Sequence, residues 1–266
     1  MIDGFGRIID YLRVSVTDRC NLRCRYCIQP DEVKWLRHDE IVTFEEIIQV
    51  VKIAVGMGMN KVRLTGGEPL VRRDICTLVA EIARIDGVDD LALSTNGVLL
   101  EQMAFSLARA GLKRVNVSLD TTDAERFRDL TRGGDISRVF AGIAAAKAAG
   151  LEPIKLNCVV GGPCQHSDLL SVQRYAIAQK LELRTIPFMD FAAGRFSVIS
   201  GSSRGDCSRC NRLRLSSDAS IRPCLFSDLS FSIRELGVER ALRLAIELKP
   251  ESGGRCSHNW MHGIGG

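Results

Sequence analysis

Six cysteines carry the chemistry that can be read first. Cys20, Cys24 and Cys27 are spaced C-x3-C-x2-C, and Cys207, Cys210 and Cys224 form a C-x2-C pair followed, after thirteen residues, by a third thiol. Soft thiolates select iron–sulfur clusters or zinc. Three thiolates on a cubane cluster leave one iron without a protein ligand, the open position a catalytic metal needs. Zinc asks for a fourth ligand. Near the first group the closest histidine, His38, stands well apart, whereas His258 and His262 are candidates for the second. Buried free cysteines are a plainer alternative for the first group, and a zinc knuckle for the second. Ten cysteines in all, without a secretion signal, argue for metal or redox use rather than a disulfide framework.

The elements that must position these thiols follow from apolar runs alternating with helix-period segments. Strands are predicted at Tyr11 to Thr17, Lys61 to Thr65, Leu91 to Ser94, Arg114 to Leu119, Ile154 to Val160 and Glu182 to Phe188. Helices are predicted at Thr43 to Gly58, where Thr43 and Glu46 are spaced as a capping box, and at Ile75 to Ile85. Further helical segments run to Ala110, up to Ala149, and from about Asp168 to Lys180. This alternation means parallel βαβ units, and six of them suggest an incomplete (β/α)6 barrel. The first cysteine group would then lie on the loop after the first strand, at the C-terminal mouth where such folds place their sites. Residues 1–189 form this partial barrel, 190–206 a Gly/Ser-rich linker, and 207–266 a cysteine-bearing tail. At 45% apolar and 26% charged residues the composition is that of a soluble globular protein, and the net charge of +4 is too small to argue for nucleic acid. No apolar run reaches the roughly 20 residues of a membrane helix, so a cytoplasmic protein is expected.

The segments around the thiols add a resemblance. Asp18-Arg19-Cys20-Asn21-Leu22-Arg23-Cys24-Arg25-Tyr26-Cys27 resembles the signature of the radical S-adenosylmethionine (SAM) superfamily. Thr65-Gly66-Gly67-Glu68-Pro69-Leu70 resembles its second motif, which holds the SAM amine; alone it would read as a strand-end turn. Cys207 to Leu215, Arg222 to Asp228, the opening Phe5-Gly6-Arg7 and the terminal Gly265-Gly266 are similar to the GTP 3′,8-cyclase family of molybdenum cofactor biosynthesis.

That resemblance implies two [4Fe–4S] clusters, on Cys20, Cys24 and Cys27 and on Cys207, Cys210 and Cys224. It places SAM against Tyr26, Gly67, Ser118 and Met189. It places GTP against Arg13, Arg63, Thr95, Lys155 and the run Arg212-Leu213-Arg214, and gives Arg212, Arg214, Gly265 and Gly266 parts in catalysis. The implied reaction begins with reductive cleavage of SAM. The radical so formed takes hydrogen from ribose carbon 3′ of GTP, and the sugar radical closes on guanine carbon 8. Its implied partners are an external one-electron reductant and a downstream cyclic pyranopterin synthase; no membrane or nucleic acid is expected, and the oligomeric state is left open, a homodimer included. The residues also have plainer readings. Single arginines commonly sit in surface ion pairs, Ser118 and Thr95 can cap loops, and Met189 can fill a core. Arg13 and Arg63, however, fall inside predicted strands, where an unpaired charge is costly unless it lines a cavity. Family members carry a longer segment between Met189 and Cys207. A radical SAM enzyme acting on peptides, or a non-catalytic iron–sulfur paralogue, are the competing readings.

Overall fold

The structure, a computed structural model, describes residues 1–28, 35–191, 193–199, 205–257 and 261–265, the side chain of His262 excepted. The expectations for Gly266, His258 and the His262 side chain therefore lie outside the described residues. Among the described residues, nine strands form one sheet in the order β6-β5-β4-β3-β2-β1-β7-β8-β9. The first six are β1 (Tyr11–Ser15), β2 (Lys61–Thr65), β3 (Asp90–Thr95), β4 (Arg114–Ser118), β5 (Lys155–Val160) and β6 (Glu182–Pro187). They are all parallel and are joined through helices α1 (Phe44–Gly56), α2 (Ile75–Ala83), α3 (Leu100–Arg109), α4 (Ala124–Thr131), α5 (Ile136–Ala148) and α6 (His166–Gln179). The sheet does not close, so the incomplete barrel expected from the alternation is the observed architecture. Thr43 caps α1 as its spacing predicted: its hydroxyl accepts from Glu46 N at 3.2 Å, and the Glu46 carboxylate accepts from Thr43 N at 2.8 Å.

The tail joins this sheet directly. β7 (Arg212–Leu215) pairs in parallel with β1, aligning Tyr11 with Arg212 and Arg13 with Arg214. β8 (Ser220–Arg222) and β9 (Phe231–Ser232) continue antiparallel. α7 (Ile233–Leu236), α8 (Val238–Glu247) and α9 (Met261–Ile264) complete it. The N-terminus is bound to the same tail. Arg7, buried and paired with Asp3 at 2.7 Å, donates to the carbonyls of Cys207, Pro250 and Glu251 at 2.7–2.8 Å.

Side chains alternate along every inner strand, and this alternation builds the site. Leu12, Val14, Val62, Leu64, Val115, Val117, Leu156, Leu213 and Leu215 face the helices and are buried in one apolar core. The residues between them face the concave side, and they are polar: Arg13, Ser15, Arg63, Thr65, Asn116, Lys155, Asn157, Arg212 and Arg214. Parallel strands covered on both faces by helices are normally apolar throughout. A polar inner face marks a sheet that encloses a ligand site.

Candidate active site

The cysteine loop after β1 is anchored from two sides. Arg23 N and Arg25 N donate to Thr131 O and Leu130 O at the end of α4, and the Arg19 and Arg23 guanidinium groups lie over the Trp35 ring at 5.1 and 5.0 Å. The glycine motif after β2 presses against it. Gly67 N donates to Thr17 O and Glu68 N to Arg19 O, both at 2.8 Å. A Cβ on Gly67 would stand 2.6 Å from Asp18 O, and one on Gly66 2.6 Å from Thr17 O. The two glycines thus let the two loops close on each other.

Both cysteine groups line one cavity of about 280 Å³, which reaches from the loop after the C-terminal end of β1 to the residues that precede the N-terminal end of β7. Its wall also holds Tyr26, Gly67, Ser118 and Met189, all four of the expected SAM contacts, and Arg13, Thr95, Arg212 and Arg214. The donor set suits clusters. Leu22 N–H points to Cys20 Sγ at 3.4 Å and Phe226 N–H to Cys224 Sγ at 3.3 Å, and such N–H···S contacts stabilise thiolate ligands. Burial, reinforced by the charge of Cys20, lifts the Cys27 thiol to about 12, so a bound cation is what would draw off its proton. Cys210 is the opposite case. Burial raises it, but the Lys249 and Arg212 charges outweigh burial and bring it down to about 7. Among the described residues, no three histidine, cysteine or carboxylate side chains gather closely enough for one metal ion.

Glu68 belongs to the second motif, is packed against the first through its backbone, and is buried. Its carboxylate accepts from Leu70 N at 3.1 Å, from the Thr95 hydroxyl at 2.7 Å and from Asn96 N at 2.7 Å. Thr95 therefore positions Glu68, a role beyond the substrate contact expected of it. Burial lifts the Glu68 carboxyl to about 7, against those hydrogen bonds. The folded chain then holds a proton that the unfolded chain releases near the ordinary 4.5, so stability falls as pH rises between the two values. In cluster-free protein without SAM, Glu68→Gln should melt above the native chain at pH 8, with the gap narrowing by pH 5. A gap independent of pH would show the carboxylate ionised throughout. Tyr26 donates to Asp120 at 2.5 Å, and Asp120 also accepts from Val159 N at 2.8 Å.

A second cavity, of about 200 Å³, opens at the other end of the strands. Lys61, Arg63, Arg114, Lys155, Arg184, Arg209 and Arg212 line it, with Asp90 as its one carboxylate among the described residues. Asp90 is paired with Arg114, while Glu182 pairs with both Lys155 at 2.7 Å and Arg184 at 2.9 Å. Arg63 is different. It is 1% exposed, and its Nε and Nη1 have no hydrogen-bond partner among the described residues. The expected nucleotide contacts thus divide between two cavities, Arg13, Thr95 and Arg214 above, Arg63 and Lys155 below, with Arg212 lining both.

The side chain of Leu213 reaches neither cavity. It is fully buried in the apolar core, because it alternates with Arg212 and Arg214 and so faces the helices rather than either cavity. Lys61, Arg114, Arg184, Arg209, Asn116 and Asn157 were missed by the reading of the sequence. The period-2 alternation of Lys61-Val62-Arg63-Leu64-Thr65 and Arg114-Val115-Asn116-Val117-Ser118 is the signal that would have found Lys61, Arg114 and Asn116.

The C-terminus enters from above. The Gly265 carbonyl accepts from Arg13 Nε at 3.0 Å and Arg214 Nη1 at 2.5 Å. Gly265 has a φ of +73°, and its Cα faces Thr65 and Ser15 with no room for a side chain. The segment read as a linker builds wall. Phe196, Ser197, Ile199, Gly205 and Asp206 line the upper cavity, and Phe226 carries the Phe191 and Phe196 rings at 4.8 and 4.4 Å.

Comparison with known proteins agrees with this architecture. Residues 14–172, more than half of the chain, match the Radical SAM superfamily, and the chain belongs to it. Two solved structures share the fold. SuiB of Streptococcus suis bound to S-adenosylmethionine has a TM-score of 0.68 at 13% identity over 91% of this chain and 64% of that one. Native anSMEcpe with bound AdoMet has 0.63 at 17% identity over 91% and 81%. Among sequence relatives, the GTP 3′,8-cyclase of Moorella thermoacetica is 40% identical over 94% of either chain. That of Geobacter sulfurreducens is 38% identical over 98% of this chain and 96% of the relative. Within the superfamily, the chain is a member of the GTP 3′,8-cyclase family. The Moorella alignment runs over 303 positions against the 266 residues present here, so that relative carries residues this chain lacks.

Proposed function

We infer that this chain is a radical SAM GTP 3′,8-cyclase, which converts GTP to 3′,8-cyclo-7,8-dihydroguanosine triphosphate in the first step of molybdenum cofactor biosynthesis. The observation that carries the substrate reading is Arg63, buried with two donors that have no partner among the described residues, in a cavity that those residues line with seven cations and one carboxylate. Unpaired buried charge calls for a counter-ion, and guanidinium groups bind phosphate oxygens in pairs. A triphosphate supplies that charge, whereas a peptide has no comparable anion, which argues against the peptide-modifying reading.

Cys20, Cys24 and Cys27 would hold the cluster that, when reduced with SAM bound, supplies the radical. Glu68, held by Thr95 and Asn96, would meet the SAM amine, and Tyr26, Gly67, Ser118 and Met189 would hold the rest of SAM. Cys207, Cys210 and Cys224 would hold a second cluster on the opposite wall of the same cavity, with the Lys249 charge beside it. Arg63, Lys155 and their neighbours bind the triphosphate below. The aromatic wall of Phe196 and Phe226 excludes water from the reacting atoms. The reading implies an external one-electron donor, consumption of the product by cyclic pyranopterin synthase, and a cytoplasmic site. Among the described residues, no helix is long and apolar enough to cross a membrane.

An anaerobic reaction of the reconstituted protein with SAM, dithionite and GTP, its products identified by mass spectrometry, tests the activity; absence of a cyclised nucleotide would refute it. The anion site has its own test. Arg63→Met should weaken GTP binding by about 1.5–3 kcal/mol, the worth of hydrogen bonds to a charged group, and leave guanosine binding almost unchanged. Equal losses for both ligands would make Arg63 a support of the fold instead.

A further inference from the structure

Between the two cavities lies a row of polar side chains that the assignments above leave without a role. Strand register locates it. Arg13 of the upper wall is aligned with Arg63 of the lower. Asn116 is aligned on one side with Ser94, which lines the upper cavity, and on the other with Lys155, which lines the lower. Asn157 is aligned with Ser118 above and Arg184 below. Asn157 itself lines the upper cavity, and Asn116 stands in register between residues of the two.

Asn116 is wholly buried, and neither its Oδ1 nor its Nδ2 has a hydrogen-bond partner among the described residues. Asn157 Oδ1 and Thr65 Oγ1, in the same interior, are buried and unpaired as well. Buried polar atoms are almost always hydrogen-bonded, so a group of orphans on the concave face of one sheet indicates a missing polar partner. An apolar residue at position 116 would avoid the cost of leaving both atoms unpaired.

The chemistry of the partner follows from its position. With the triphosphate among the lower cations and the radical arising in the upper cavity, the part of the nucleotide at this level is the sugar. Ribose hydroxyls both donate and accept, and an asparagine amide offers both functions within one planar group. We propose that Asn116, with Asn157 beside it, binds the ribose hydroxyls of the nucleotide and so sets which sugar carbon faces the upper cavity; this rests on the nucleotide reading above. Hydrogen abstraction takes place only from a carbon held close to the radical, so orientation of the ring decides where the reaction occurs.

The test is binding to the anaerobically reconstituted protein, with GTP, 2′-deoxy-GTP, 3′-deoxy-GTP and SAM measured separately. The native protein should bind GTP about tenfold more tightly than the analogue lacking the contacted hydroxyl, a difference of about 1.4 kcal/mol. Asn116→Leu should lower GTP affinity about tenfold, bind GTP and that analogue alike, and leave SAM binding unchanged. Equal losses for GTP and both analogues, unchanged GTP affinity, or a loss confined to SAM would each overturn the proposal. If Asn116→Leu does not load its clusters, Asn157→Leu and the preference of the native protein carry the test, and a native protein indifferent to both hydroxyls refutes it. Native protein that binds SAM but not GTP would instead reject the nucleotide reading, and this proposal with it.

Discussion

Cys24→Ala is expected to abolish SAM cleavage while leaving the tail cluster in place. Cys20, Cys24 and Cys27 belong to the loop after β1, whereas Cys207 and Cys210 precede β7 and Cys224 follows β8. The two groups share a cavity but no anchoring residue among the contacts described. After anaerobic reconstitution the native protein should hold roughly eight irons and eight sulfides per chain, as two cubane clusters imply, and the variant roughly four of each. Production of 5′-deoxyadenosine should fall to background, because two remaining thiolates do not secure a catalytic cluster. A native chain with only one cluster, or with zinc at the tail, would refute the two-cluster reading. A variant that loses all its iron would show that the two sites assemble together.

Deleting Gly265 and Gly266 should leave both clusters and SAM binding intact but reduce cyclised product sharply. Arg13 and Arg214 both hold the Gly265 carbonyl in the described structure, and burial weighs on both guanidinium groups. Burial, with Arg214, Arg63 and Arg212 close by, brings Arg13 down to about 9. Burial and the charge of Arg212 bring Arg214 down to about 10. Removing the carbonyl frees two cations beside the substrate and costs each a charge-assisted hydrogen bond, about 1.5–3 kcal/mol apiece. 5′-Deoxyadenosine should still form, now uncoupled from cyclisation. Gly265→Ala should reproduce much of the loss, because φ is +73° there and the added methyl meets Thr65. Full-length rates of cyclisation in the truncated protein would return these glycines to an ordinary frayed terminus.

Much of this was legible in the residues themselves. Cysteine spacing marked both metal groups, and the glycine motif after Lys61–Thr65 marked the loop that meets the first of them. Alternating periodicity placed all six barrel strands within a few residues of where they lie, because each combines a short apolar run with clear turn signals on either side. Thr43 and Glu46 announced the start of α1 by spacing alone, since a capping box is a local interaction.

The tail strands were not legible. Arg212–Leu215 is only four residues long, and what makes it a strand is the edge of β1, 200 residues away in sequence. For the same reason the segment after Met189 read as a linker, although Phe196 finds its place only on the ring of Phe226.

What the sequence determined by itself was the kind of chemistry on offer: which thiols are spaced to share a cluster and which strands carry cations. Residue type and short-range spacing suffice for that, because ligand preference and periodicity are local properties. What only the tertiary structure decided was the sorting of those residues. Strand register sends Arg63 and Lys155 to a lower cavity and Arg13 and Arg214 to an upper one, turns Leu213 into the core, and leaves Asn116 unpaired between the two cavities. Register comes from hydrogen bonds between strands far apart in the chain, so the destination of each inward side chain depends on partners that no local pattern names.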